Sequence, residues 1–275
     1  MRINTNVMAL NASNMLVGNQ GAVQKSIGKL SSGLRINGAA DDASGLAISE
    51  KMRSQIRGLN QAESNAQDGI SLIQTAEGAL QQTTDILQRM RELVVKSEND
   101  GVLTPEDKTA IEVELQALTT EIDRIADSTT FNGKALLDGS NGTFKFKIGA
   151  NAYTCDTLSV TIGGMSTASL GVGGIATAIT TSVGAAASLK SIDSAIKAVS
   201  KQRAELGAIQ NRMEYSIENL SATAENLTSA ESRIRDVDMA SEMVTFTKNN
   251  ILQQSAMSML AQANQQPQQI LSLLG

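Results

Sequence analysis

Histidine and tryptophan are absent from this chain, and all aromatics together make up 2% of it, as two tyrosines and four phenylalanines. Without histidine there is no imidazole general base, no His-containing catalytic triad and none of the common zinc sites. With so few aromatics, a core must be filled by Leu, Ile, Val, Met and Ala, which favours helix packed on helix. Cys155 is the only cysteine, so no intrachain disulfide can form. It reads as an incidental thiol. Proline occurs twice, at Pro105 and Pro267, leaving long stretches with no helix breaker. The net charge of -5 and pI of 5.0 leave no basic stripe for nucleic acid. No apolar run is long enough to span a bilayer, and Met1 to Asn6 lacks the layout of a cleaved signal peptide. Gly171-Val172-Gly173-Gly174 lacks the flanking strand, helix and spacing of a phosphate loop. Asp41-Asp42, a candidate carboxylate pair, reads as a solvated loop and helix start. Nothing implies a cofactor or an enzyme.

What is present is helical periodicity, and it is long. Apolar or small residues recur at threes and fours from Ile48 through Met52, Ile56, Leu59, Ala62, Ala66, Ile70, Ile73, Ala76, Leu80, Thr84, Leu87 and Met90 to Val94. The mean spacing of about 3.5 is the coiled-coil value. A helix from Ser44 to Glu98 would be ~80 Å long at ~1.5 Å per residue, and needs long partners. One follows Thr104-Pro105-Glu106-Asp107, which reads as an N-cap, a first-turn proline and acids on the helix dipole. Its stripe is Ile111, Leu115, Leu118, Ile122 and Ile125. Another runs from Leu189 to Leu227 with the same repeat, so three helices can share one seam. Between them Phe131-Asn132-Gly133-Lys134 is a turn signal, and residues 143–148 and 158–162 read as a short β-hairpin. Gly163 to Ser188, rich in Gly, Ala, Ser and Thr, is expected to be an exposed and poorly constrained loop.

The two ends differ from the rest. Residues 3–24 and 249–275 contain no charged residue, where the 19% average would place about four and about five. Asn and Gln stand in for charge. Both ends keep a helical period on more than one face: Ile3, Val7, Leu10 and Val17 with Val23 and Ile27 at one end, Met243, Phe246, Leu252, Met257 and Leu260 at the other. Apolar residues on several faces require several neighbours, and further copies of the same chain can supply them. The many amides and few cationic residues argue against a membrane anchor.

Several long motifs occur together: Met1-Arg2-Ile3-Asn4-Thr5-Asn6 with Ala9-Leu10-Asn11, Leu30-Ser31-Ser32-Gly33-Leu34-Arg35-Ile36-Asn37, Ala40-Asp41-Asp42-Ala43-Ser44-Gly45-Leu46-Ala47-Ile48, Ser232-Arg233-Ile234-Arg235-Asp236-Val237-Asp238 and Gln269-Ile270-Leu271-Ser272-Leu273-Leu274. In this order, over about residues 1–138 and 187–275, they resemble the bacterial flagellin family. The resemblance implies a mainly α fold: an elongated coiled-coil bundle with a small β-hairpin, whose terminal helices pair to form the polymer core. It implies an N-terminal D0 helix and linker at 1–43, a D1 region at 44–186 containing a remnant of the variable outer domains, a C-terminal D1 helix at 187–230 and a C-terminal D0 helix at 231–275. It implies a homopolymer, the extracellular flagellar filament for swimming, thin and smooth, exported by the flagellar type III apparatus. Implied partners are an export chaperone on the C-terminal helix and the filament cap and hook-junction proteins. The polymerisation residues would be those of the two ends named above, with Ile270 and Leu273. The alternative within the family is a hook–filament junction protein; a generic coiled-coil scaffold would not require uncharged ends.

The resemblance also implies a surface read by the host Toll-like receptor that senses flagellin, at Gln88, Arg89, Arg91, Glu92, Leu93 and Glu114. Arg89 and Leu93 lie one turn apart and off the Leu87/Met90/Val94 seam, so both are expected to be exposed.

Overall fold

The computed structural model describes residues 6–99, 101–140, 142–151, 153–179 and 182–274, with side chains except at 182, 183 and 267–274. The described residues form seven α-helices: α1 (Val7–Ser32), α2 (Ala43–Ser97), α3 (Pro105–Ser128), α4 (Thr167–Leu170), α5 (Ile175–Ala178), α6 (Ser182–Arg235) and α7 (Met239–Leu274). Four short strands make two antiparallel pairs, β1 (Thr130–Phe131) with β2 (Lys134–Ala135) and β3 (Thr143–Lys147) with β4 (Thr157–Thr161). The chain divides into two compact units, Met1–Ile56 with Glu225–Gly275, and Arg57–Ala224.

In the second unit the long helices start and stop where local chemistry dictates. The Thr104 hydroxyl accepts from the Asp107 N–H, and the Asp107 carboxylate accepts from the Thr104 N–H at 2.9 Å; Pro105 fills the first helical position of α3. Asn132 (φ 50°) and Gly133 (φ 75°) both adopt left-handed backbone, which makes the β1–β2 turn type I′. β3 pairs with β4 from Thr143↔Thr161 to Lys147↔Thr157, and alternation buries Phe144, Leu158 and Val160.

Residues of α2, α3 and α6 share one apolar core with the hairpin. Along α2 the buried face is wider than one coiled-coil seam: both members of the neighbouring pairs Leu72–Ile73, Thr83–Thr84 and Leu93–Val94 are buried. A helix covered by several partners needs such a broad face. On α6 the expected stripe holds at Ile192, Val199, Leu206, Met213, Leu220 and Ala224. Small residues of α2 admit its neighbours. A Cβ on Gly69 would lie 2.9 Å from Met213 Cε and 3.2 Å from Phe146, and one on Gly58 would lie 2.9 Å from Ala150 Cβ. Between them Asn65 donates to the Lys147 carbonyl at 3.1 Å. Buried Gln202 of α6 donates to the Thr161 carbonyl at 3.0 Å and accepts from the Gly163 N–H at 3.3 Å, so the end of β4 is tied to that helix.

The segment after β4 differs from the expectation of an exposed loop. It forms α4 and α5, and Met165, Leu170, Val172, Ile175 and Ile179 are buried in the shared core. The Asp123 carboxylate of α3 accepts from both the backbone N–H (2.8 Å) and the hydroxyl of buried Thr167. Few large side chains suffice because nearly all of them point inward and the remaining residues are small enough to let the backbone lie close. The C-terminal helix also starts later than position 231: α6 continues through Arg235, and α7 begins only after Asp238, whose carboxylate accepts from the N–H groups of Ala240 and Ser241.

Candidate functional site

The first unit is built around α1 and α7. Asn6 caps α1 by accepting from the Ala9 N–H at 3.1 Å, and its amide donates across to the Ala263 carbonyl at 2.7 Å. Farther along, Lys29 approaches Glu242 at 3.9 Å, and Leu34 forms a β-bridge with Asp236. Residue numbers rise on one helix as they fall on the other, so the two ends of the chain pair antiparallel. Gly33 ends α1 with φ 71°, its carbonyl accepting from the Val237 N–H. The Arg35 guanidinium donates to the Ile234 carbonyl, and Arg235 pairs with Glu50.

The motif from Ile36 to Ile48 is the turn that starts α2. Asp41 accepts from the backbone N–H groups of Asn37 and Gly38. Asp42 accepts from the Gly45 N–H at 2.8 Å and from the Ser44 hydroxyl, and these bonds, the backbone one first, hold its carboxyl below the ordinary aspartate value of 3.8. Ile36 is buried beneath this turn, and a Cβ on Gly45 would meet both Asp42 and the Ile36 side chain within 3 Å. The acidic pair therefore shapes a turn and a helix cap.

Pairing leaves much of α1 and α7 uncovered. Val7 (57% exposed), Leu10 (56%) and Val17 (66%) stand on the surface, as do Ile27, Met243, Leu252 and Met257. Phe246 and Leu260 are half-buried, and Val23 is buried within the unit. Ile3 and the side chains of Ile270 and Leu273 lie outside the described residues. A wide apolar face with no charge between residues 7 and 24 is unlike a monomer surface, where scattered single apolar residues are the rule.

In the second unit, Arg89 of α2 donates from Nε and Nη2 to Glu114 of α3, the latter at 2.8 Å, and from Nη1 to Glu92 at 3.2 Å. These carboxylates, Glu114 foremost, raise the guanidinium above its ordinary value. Arg91 donates to Asp193 of α6 at 2.9 Å. Gln88, Arg89, Arg91 and Glu92 are exposed and Glu114 is half-exposed. Leu93 departs from the expectation of exposure: at 3% it belongs to the shared core. The reason is the width of the buried face of α2, on which Leu93 flanks Val94. Two adjacent apolar residues at that position, and again at Leu72–Ile73, are the signal that a single-seam reading passes over.

Among the described residues no three His, Cys, Asp or Glu side chains converge as a metal site, and no helix is long and apolar enough to cross a membrane. The open hollow beside the hairpin, lined by Leu72, Phe131, Lys134, Phe144 and Phe146 among others, brings no acid–base pair together.

Residues 3–142 match the family described as the bacterial flagellin N-terminal helical region, and residues 189–274 match the C-terminal helical region. A flagellin of Bacillus subtilis (strain 168) is 55% identical over 305 aligned positions that cover all of both chains. A flagellin of Halalkalibacterium halodurans is 53% identical over 274 positions, again covering both completely. The crystal structure of Bacillus cereus flagellin aligns with a TM-score of 0.50 at 28% identity, over 61% of this chain and 94% of that one. With matched regions at both ends and full-length relatives of this identity, the chain belongs to the bacterial flagellin family, a family of structural filament subunits and not of enzymes.

Proposed function

We propose that this chain is the subunit of a swimming filament, polymerising through its paired terminal helices. The observation that carries this reading is the set of exposed apolar side chains on α1 and α7, with no charge over residues 7–24 and 249–266, which a single chain leaves without neighbours. In this reading residues 1–43 and 231–275 form the inner D0 layer and 44–230 form D1, with the short segment after β4 in place of large outer domains. Amides and hydroxyls, which hydrate without a strong field, suit a wall past which unfolded subunits travel. Type III export, an export chaperone on α7, and contacts with cap and hook-junction proteins belong to the same reading. Flagellin names on relatives matched over their full length favour a filament subunit over a hook–filament junction protein.

The test is seeded polymerisation followed by electron microscopy. The full chain should extend seeds. Removal of residues 1–34 or of 236–275 should leave a soluble helical protein that does not. Long filaments from either truncation would overturn the assignment of the ends.

Recognition by the flagellin-sensing Toll-like receptor is a second part of the proposal. It is supported by the exposed polar face of Gln88, Arg89, Arg91, Glu92 and Glu114. Arg is enriched among interface anchors, and truncating such an anchor commonly costs ~2 kcal/mol of binding or more. Arg89→Ala should therefore lower the potency of the monomer in reporter cells. Equal potency at equal fold stability would reduce this face to a solvated helix surface.

A further inference from the structure

Among the described residues, which hold ten of the chain's eleven methionines, six are exposed, and all six lie on α1 or α7: Met8, Met15, Met239, Met243, Met257 and Met259. Met15 is 68% exposed and Met259 63%. Met90, Met165 and Met213 are buried in the core of the other unit, and Met52 is half-buried. Thus the accessible thioethers of the described residues are sorted onto the two helices whose surface lacks neighbours. Thioethers suit an adaptable apolar contact because they are unbranched and polarizable. They are also the groups there most open to oxidation, since the single cysteine, Cys155, lies outside both helices.

We propose that these six methionines make the unassembled subunit a peroxide-sensitive species, in which conversion to sulfoxide blocks addition to a filament, and that assembly protects them. The proposal rests on the reading that the terminal helices are the polymerisation surface. In the chemical step a sulfur lone pair attacks one oxygen of hydrogen peroxide. The O–O bond breaks, a proton transfer releases water, and sulfur is oxidised by two electrons as the peroxide is reduced. The product replaces an apolar group with a strong hydrogen-bond acceptor. Burying that acceptor between apolar side chains costs free energy unless a donor meets it. Several such acceptors distributed along both helices oppose packing on every side that carries one. A methionine sulfoxide reductase with a dithiol reverses the change: the sulfoxide oxygen leaves as water while two thiols become a disulfide.

The experiment exposes monomer and preformed filament to graded hydrogen peroxide. Each methionine is then followed by peptide mass spectrometry, and seeded elongation is measured on the same samples. In monomer, the six named sites should oxidise roughly tenfold or more ahead of Met90, Met165 and Met213, as thiolate-free thioethers differ in access. Elongation should fall roughly tenfold or more in step with those six, and reductase treatment should restore it. In filament the same sites should resist. In a variant with all six replaced by Leu, a swap that conserves volume, peroxide should leave unchanged whatever rate of elongation that variant has. Oxidation of the six without loss of elongation overturns the proposal while the untreated control upholds the polymerisation surface. Failure of untreated natural chain to elongate overturns both. If the Leu variant itself does not assemble, the reductase arm decides: full reduction without recovery overturns the proposal, and recovery supports it.

Discussion

Leu93 and Arg89 stand one turn apart on α2 and have opposite roles. Leu93 is packed in the core, whereas Arg89 lies on the surface between Glu92 and Glu114. Leu93→Ala removes buried methyl groups and leaves a cavity, so it should destabilise the second unit by about 2–4 kcal/mol. Arg89→Ala, which opens an exposed ion pair, should leave the melting curve nearly unmoved. Chemical denaturation of the two variants side by side checks both. Asp42 gives a pH dependence. Its folded value lies below the ordinary 3.8, so its capping contribution is complete above that value and is lost as pH falls through the lower folded value. Asp42→Asn keeps a capping oxygen but cannot titrate. Melting temperatures between about pH 6 and about pH 2 should therefore fall less steeply for Asp42→Asn than for the natural chain. At this scale the sequence identified Asp42 as a helix start because caps are local chemistry. It did not place Leu93, whose burial depends on how many helices cover α2.

The elements divide along the same line. α2, α3 and α6 were legible because each repeats its apolar positions for many turns, and the capping box of Thr104 and Asp107 marks its own end. The β1–β2 turn was legible from Asn132-Gly133, which tolerate the left-handed backbone it needs. The segment around α4 and α5 was not, because its buried residues follow no single period: the chain changes direction every few residues. Replacing 165–179 with a Gly/Ser linker of equal length should lower the stability of the second unit by several kcal/mol. Met165, Leu170, Val172, Ile175 and Ile179 are all buried, and full burial of such a side chain is worth about 1.5–3 kcal/mol. A melting temperature unchanged by the replacement would show that the segment lies on the core without supporting it. Helical glycines separate by the same physics. Gly69→Val would press on Met213 and Phe146 and should cost about 1–3 kcal/mol. Gly78 has nothing within 4 Å of its missing Cβ, so Gly78→Ala should gain about 0.5–1 kcal/mol. Equilibrium unfolding in urea resolves both signs.

For the whole molecule, the absence of charge over 7–24 and 249–266 sets how assembly responds to salt. Where there are few charges there is little for salt to screen, whereas sulfate strengthens apolar burial by exclusion from the surface. Sodium sulfate should lower the critical concentration for elongation, and sodium chloride at equal ionic strength should change it far less. Equal effects of the two salts would mean that charged pairs, not the apolar ends, limit assembly. The site was legible in the sequence as composition, through amides without charge and apolar stripes on several faces. The geometry adds that Val7, Leu10, Val17, Ile27, Met243, Leu252 and Met257 remain open after the two ends have paired, while Val23 is buried within the unit and Phe246 and Leu260 are half-covered. That pairing has a kinetic consequence. The hydrogen bond from Asn6 to Ala263 spans 257 residues, so α1 gains its partner only after almost all the rest of the chain is available. Contacts of such high sequence separation carry the largest loop-closure cost and form late. The second unit draws on residues 57–224 alone and can close first. On the proposed reading, a chain delivered piecemeal keeps its terminal surface from maturing until delivery is nearly complete, which would delay the moment at which one subunit can stick to another.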